Sequence, residues 1–366
     1  MSKKLVFFLP SLCGGGAERV TLNLAKLFAQ NNYQVDLVLA KAEGPYLSQV
    51  PKNINIVNLN VSRVALSLLP LVRYLRKNKP YALISAMNHV NIVAILATKL
   101  ALVKTKVLIS EHSTLSRSLM HPENFRSRLL PFFMNFFYPL ADKIIAVSHG
   151  VADDLAKALN FPRSKIEVIY NPVVGDELFE KANQEVNHPW FRDSQCPVIL
   201  AVGRLTEAKD FPTLIKAFYY VRQKKKAKLV ILGEGEKRTE LVNLIKKLGL
   251  DNDVDIAGFV ENPYSYMKRC SVFVLSSKWE GLPTVLVEAL ACGANIVATD
   301  CPSGPREILK NGKYGSLVNV GDEKALAQEI LKKLEDGQNK EVLTEAYQSF
   351  TNETVFNNYL KLLMQD

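Results

Sequence analysis

The sequence offers no disulfide framework. Its five cysteines, Cys13, Cys196, Cys270, Cys292 and Cys301, are scattered, with no C-x-x-C pair among them. That excludes a stapled secreted scaffold and a zinc ribbon. With no signal-like N-terminal segment, it predicts free thiols in a reducing, cytoplasmic setting. Runs of the ~18–20 apolar residues needed to span a bilayer are also missing. The nearest, from Leu129 to Leu140, is short and broken by Pro131 and Asn135. The Gly-Lys-Ser/Thr of a P-loop does not occur. A dinucleotide fingerprint fails at its last position, because Arg19 stands where the third glycine after Gly14 and Gly16 belongs. Four of the histidines, His89, His121, His149 and His188, show no metal-ligand spacing and read as structural, with His89 kept open.

What is present is an ordinary globular composition in 366 residues, 48% hydrophobic and 22% charged, enough for two domains of roughly 150–200 residues. The net charge of +10 is unevenly placed. Residues 1–172 hold 21 Lys and Arg against 9 Asp and Glu, a balance of +12, and residues 173–366 hold 25 against 27, a balance of −2. A basic first half predicts an anionic partner there. Two stretches favour a membrane surface over nucleic acid, for which no binding motif appears. RSRLLPFFMNFFYPL sets Arg126 and Arg128 beside Phe132, Phe133 and Phe136, and VSRVALSLLPLVRYLRKNKP sets Arg63, Arg73 and Arg76 among Leu and Val. A core helix with solvated charges is the alternative for either stretch.

Short β-rich runs alternate with helical patterns along the whole chain. LVFFLP, QVDLVLA, ALISAM, VLIS, KIIAVS and IEVIY read as strands in the first half, and PVILAVG, KLVILG, VDIAGFV, VFVLSS and NIVATD in the second. AERVTLNLAKLFAQ is helical, with Val20, Leu24, Leu27 and Phe28 on one face. The fold class is therefore α/β, with two doubly wound Rossmann-like domains. YNPVVGDELF marks the boundary, followed by a polar stretch from Asp176 to Gln195. The predicted domains are 1–172 and 173–351, with an amphipathic C-terminal helix, 352–366, completing the first.

Three places carry chemistry. SLCGGGAERV follows the first strand and opens a helix, so its glycines allow a phosphate to approach backbone amides and a positive helix end; a tight turn is the plain alternative. VGRLTEAKD places Arg204 and Lys209 just beyond a strand end, where ligands of open α/β sheets bind, and both cations can converge on a diphosphate. GEGE, with Gly233, ends the next strand. In KWEGLPTVLVEALACG, Glu280 precedes the Gly281-Leu282 turn and Glu288 follows eight positions on. Thr284 and Val285 lie at the helix start, where amides can hold phosphate oxygens, and Glu288 can accept ribose hydroxyls. Asp253-Val254-Asp255 imitates a metal-binding pair but reads as a solvated loop. Ser148 reads as a helix N-cap.

On the Glu280-x7-Glu288 element, GGGAER, GR-x4-K and the double α/β layout, the chain resembles retaining glycosyltransferases of family four, the glycogen-synthase-like group with the GT-B fold. The resemblance implies two Rossmann-like domains facing across a cleft. It implies that Glu288 binds ribose, Glu280 the donor sugar, and Arg204 and Lys209 the diphosphate. The backbone around Val260 in GFVEN would face the base, and Gly15 and Gly16 would close over the phosphates. His112 in ISEHSTLS would lie beside the reacting sugar, with Asn88 and His89 as acceptor-side candidates.

The resulting expectation is a metal-independent, cofactor-free enzyme that moves a hexose or N-acetylhexosamine with retention. The first donors are UDP-GalNAc or UDP-GlcNAc. The acceptor is an anionic glycolipid, such as a polyprenyl-diphosphate glycan or lipopolysaccharide, at the cytoplasmic face of the membrane. A monomer is the default state. A UDP-sugar 2-epimerase, a silent nucleotide-sugar-binding partner and a two-domain dehydrogenase are the rivals.

Overall fold

The computed structural model describes residues 3–120, 125–192, 196–336 and 344–365. The chain divides into two compact units, Met1–Pro172 with Asn352–Asp366, and Val173–Thr351.

The first unit is a parallel sheet in the order β3-β2-β1-β4-β5-β6-β7, with β1 Lys4–Leu9, β2 Gln34–Leu39, β3 Ile54–Asn58, β4 Ala82–Ala86, β5 Lys106–Glu111, β6 Lys143–Ala146 and β7 Ile166–Val168. Strands covered by helices on both faces must be apolar on both sides. Accordingly β1 and β2 bury every position but the first, and β4 buries all of its residues. The order reverses between β1 and β4. Helices Gly16–Gln30 and Asn88–Ala101 start just beyond these two strands, so the glycine loop and Asn88 both sit at the switch point. The C-terminal helix Asn352–Met364 packs on this unit. Phe356 packs tilted against Phe28 with ring centroids 5.0 Å apart, and the Tyr81 hydroxyl donates to the Leu363 carbonyl at 2.6 Å.

The second unit repeats the plan in the order β10-β9-β8-β11-β12-β13, with β8 Val198–Val202, β9 Lys228–Leu232, β10 Val254–Gly258, β11 Val272–Leu275, β12 Ile296–Thr299 and β13 Ser316–Val318. Its switch point lies between β8 and β11. Leu214, Phe218 and Val221 of helix Phe211–Lys224 enter the core against these strands.

Two edge strands, β3 and β13, were not expected from the sequence. Each has one fully buried residue, Ile54 and Val318, so neither shows an apolar run. The polar stretch after Pro172 carries regular structure within its described part. Asp176–Ala182 is helical, and Asn262 and Arg269 donate to the carbonyls of Lys181 and Ala182 at 2.8 and 3.1 Å. Ser148 caps its helix, its hydroxyl accepting from the Val151 amide at 3.1 Å. Among the described residues no helix is long and apolar enough to cross a membrane.

Candidate active site

In the second unit three loops meet at the carboxyl ends of β8, β11 and β12. Lys209 follows β8, and its Nζ donates to Glu280 Oε1 at 2.6 Å. Ser277, beyond β11, donates to the same oxygen at 2.6 Å. The Ser276 hydroxyl donates to the Lys209 carbonyl at 2.8 Å, and the Lys278 amide donates to the Ala208 carbonyl at 2.8 Å. The loop after β12 closes the set: Glu280 N–H donates to Pro302 O at 2.8 Å and Ser303 N–H to Glu280 O at 3.0 Å. Gly203 leaves room for the lysine stem, because a Cβ there would come within 3.1 Å of Lys209 Cε.

Arg204 is exposed beside this pair in sequence, and its guanidinium has no ion-pair partner among the described residues. Helix Thr284–Ala291 begins after Pro283 with no side-chain cap, and the amides of Thr284 and Val285 carry no partner among the described residues. Two open amides at a helix start can accept an anion, and Arg204 stands on the loop that follows β8. Glu288 is buried one turn further in, at 5% exposure. Leu282 is buried, Gly281 half-buried, and Val260 half-buried beyond β10 with Phe259 exposed next to it.

Gly233 makes its close approach to another loop. At φ +146° its Cβ would stand 2.0 Å from the Gly203 carbonyl oxygen, so the missing side chain lets the β8 and β9 loops pack. The Asp253-Val254-Asp255 reading as a solvated loop is corrected. Asp253 pairs with Arg222 and Lys228, each at 2.9 Å, and Asp255 lies in β10 facing buried His188 at 3.0 Å.

In the first unit the glycine loop is partly closed by its own helix. Glu18, 7% exposed, accepts from the amides of Gly14 and Gly15 at 2.8 and 3.0 Å, and from Ser11 Oγ at 3.3 Å. Gly15 N–H is therefore engaged, and Gly16 N–H has no partner among the described residues. The sequence reading missed Glu18. Its position three residues after the N-cap Gly15 is the signal that finds it.

His112 follows β5 directly. Its Nε2 lies 3.1 Å from Ser110 Oγ, and crowding of the ring by protein pushes its pKa down to about 4, although part of the residue stays accessible. Beneath it is a network the sequence did not announce. Asn91 Nδ2 donates to Ser110 O at 3.0 Å and to Glu111 Oε1 at 2.9 Å, while Asn91 Oδ1 accepts from Ser85 Oγ at 2.8 Å. The Tyr138 hydroxyl donates to the same Glu111 oxygen. Burial raises the Glu111 pKa to about 7 against the lowering effect of Tyr138 and Asn91. Asn88, at the start of helix Asn88–Ala101, directs its amide at Met134 Sδ, 3.7 Å away, and His89 beside it is exposed.

Phe132, Phe133 and Phe136 of helix Phe125–Phe137 are exposed by 70%, 43% and 67%. Leu66 and Leu69, at the start of helix Leu68–Asn78, are exposed by 57% and 62%, with Arg73 exposed on the same helix. Arg76, exposed on the same helix, has a second engagement. It donates to the carbonyls of Leu100 and Ala101 at 2.9 and 3.3 Å, which ties it to a neighbouring helix end. The side chains of Arg126 and Arg128, and all of His121, lie outside the described residues.

Two family models match: "Glycosyltransferase Family 4" over residues 14–176 and "Glycosyl transferases group 1" over 183–350. An N-acetylgalactosaminyltransferase of Campylobacter jejuni, named for N-acetylgalactosamine-N,N'-diacetylbacillosaminyl-diphospho-undecaprenol, is 33% identical over 95% of this chain and 93% of its own. The chain belongs to glycosyltransferase family 4. A second C. jejuni enzyme, an α-1,4-N-acetyl-D-galactosaminyltransferase named for an undecaprenol-linked glycan, is 27% identical to this glycosyltransferase over 99% of the chain and 98% of the relative. Among solved structures, Anabaena HepE in complex with UDP-glucose aligns with TM-score 0.79 over 99% of each chain at 22% identity, a likeness of the GT-B fold.

Proposed function

We propose that this glycosyltransferase moves an N-acetylhexosamine, from UDP-GalNAc or UDP-GlcNAc, to a polyprenyl-diphosphate-linked glycan, with retention and without a metal. The observation that carries the donor reading is the meeting of the loops after β8, β11 and β12 through Lys209, Ser277, Glu280 and Ser303. Arg204 and the amides of Thr284 and Val285 offer positive charge to a diphosphate, and buried Glu288 stands one turn behind them. Breaking the sugar–phosphate bond builds negative charge on the leaving nucleotide, which preorganised donors of this kind stabilise. Lys209 contributes from its pair with Glu280, whose other carboxylate oxygen remains to contact sugar hydroxyls. Lys209 and Ser277 both donate to Glu280 Oε1, which orients the carboxylate towards binding sugar hydroxyls rather than marking it as a nucleophile. Retention is therefore assigned to front-face attack, with the donor phosphate oxygen taking the acceptor proton.

The acceptor reading rests on the two C. jejuni relatives, both named for undecaprenol-linked glycans, and on the basic first unit. Exposed Phe132 and Phe136, with Leu66, Leu69 and Arg73, suit peripheral contact with an anionic bilayer at its cytoplasmic face. The test is nucleotide release from UDP-, GDP- and ADP-sugars in EDTA, with and without a short polyprenyl-diphosphate glycan, and NMR of the product anomer. Acceptor-dependent release of UDP with an α-linked product is expected. Release only on adding divalent metal, an inverted product, or free epimerised sugar would each overturn part of the reading.

A further inference from the structure

His112 sits at the end of β5 on top of a buried polar network, and the network fixes which ring nitrogen carries hydrogen. Ser110 Oγ has one hydrogen and two neighbours: the Ser85 carbonyl oxygen at 3.1 Å and His112 Nε2 at 3.1 Å. A carbonyl only accepts, so the first contact takes the serine hydrogen. Pointing that hydrogen at the imidazole instead would leave two oxygens 3.1 Å apart with none between them. The second contact is then Nε2–H donating to Ser110 Oγ. The lone pair is left on Nδ1, which has no hydrogen-bond partner among the described residues.

Ser110 is in turn held from below. Asn91 uses both amide hydrogens and its oxygen to join Ser110 O, Glu111 Oε1 and Ser85 Oγ at 3.0, 2.9 and 2.8 Å. Tyr138 ties the Glu111 carboxyl to a third element. Ser85, Asn91, Ser110 and Glu111 are 0 to 3% exposed. Packing a carboxyl with no cation beside it costs stability that apolar residues would not. A connected network at the carboxyl end of parallel strands, under a half-buried histidine, is where such a cost serves positioning.

We propose that Ser110, Asn91 and Glu111 are positioning residues that hold His112 in the Nε2–H tautomer, so that its Nδ1 accepts a hydrogen bond from a hydroxyl of the bound sugar. This rests on the glycosyltransferase reading of the site for its ligand and not for its tautomer. The role is that of an acceptor rather than a base. A ring whose pKa is near 4 stays neutral at pH 7 and takes up a proton poorly.

The test is ¹⁵N NMR of the full-length protein labelled in its imidazoles, with His112 assigned from the His112→Asn variant, alongside steady-state kinetics. In the wild type, His112 should show a protonated Nε2 and an unprotonated Nδ1, unchanged between pH 6 and 8. Ser110→Ala should lose the tautomer preference and reduce kcat on the order of 10–100-fold, as outer-shell substitutions do, with UDP affinity unchanged. His112→Asn, whose side-chain oxygen falls near Nδ1, should retain more activity than His112→Gln. An Nδ1–H ring or an even mixture in the wild type would overturn the proposal, as would a Ser110→Ala variant keeping both tautomer and kcat. The predicted tautomer in a protein that transfers no sugar would leave the positioning claim standing and remove the proposed function instead.

Discussion

Replacing Glu111 by Gln tests whether the buried carboxyl is as strained as its surroundings imply. Its pKa rises from an ordinary 4.5 to about 7 through burial. A raised acid contributes fully to stability below the unfolded value and loses that contribution as pH rises through the folded one. Wild-type stability should therefore fall relative to Glu111→Gln between pH 4.5 and 7, by about 3 kcal/mol at about 1.4 kcal/mol per pH unit. His112 works in the opposite sense. Its pKa falls from 6.5 to about 4, so its contribution is complete above 6.5 and is lost as pH drops towards 4. The two slopes oppose one another from 4.5 to 6.5. The wild type should look nearly flat there, and Glu111→Gln should gain stability as pH rises. Both tryptophans, Trp190 and Trp279, belong to the second unit, so their fluorescence is blind to this effect. Native-state hydrogen exchange of the β4 and β5 amides at pH 5, 6 and 7 reads it directly. A difference between wild type and variant that does not change with pH would refute the reasoning.

Glu288→Ala should weaken UDP binding by about 1–3 kcal/mol, the range for losing a charged hydrogen-bond acceptor; calorimetry showing unchanged affinity would remove the ribose assignment. Gly233→Ala should destabilise the second unit by more than about 1 kcal/mol, since its Cβ would meet the Gly203 carbonyl at 2.0 Å; urea unfolding followed by tryptophan fluorescence checks it. Replacing Phe132 and Phe136 together by Ser should lower the partition constant onto anionic vesicles, read by sedimentation, by about 100-fold or more, each exposed ring being worth about 1.5–3 kcal/mol when buried, while UDP affinity stays unchanged.

The central strands were legible because a parallel sheet buries both faces, so β1, β8, β9 and β11 are written as apolar runs, with only Asp36 interrupting β2 and Ser85 interrupting β4. Edge strands β3 and β13 are half solvated and carry no such run. The Glu280-x7-Glu288 element was legible for a different reason: turn, helix start and both carboxylates lie within one short segment. Its partner Lys209 stands 71 residues away, and the 2.6 Å pair emerges only when β8 and β11 are adjacent. The network under His112 was invisible because each member is an unremarkable Ser, Asn, Glu or Tyr, and Asn91 and Tyr138 reach Glu111 across 20 and 27 residues. The helix-end contacts of Arg76 were invisible for the same reason, since they depend on where residues 100 and 101 end their helix.

In the proposed function, two places assigned to donor phosphates are already occupied by the protein's own carboxylates. Glu280 holds Lys209 at 2.6 Å, and Glu18 holds the amides of Gly14 and Gly15 at 2.8 and 3.0 Å. Each carboxylate keeps a cation or a pair of donors in place before the donor arrives, which lowers the reorganisation needed for binding. The same arrangement limits affinity, because a phosphate that reaches these groups exchanges one anion for another. In the second unit, Arg204 and the amides of Thr284 and Val285 carry no such internal anion among the described residues. The net gain on binding a diphosphate there should therefore come mainly from them, while Lys209 supplies geometry. Removing Arg204 should accordingly cost more nucleotide affinity than removing Lys209, and Lys209 should show its loss in kcat.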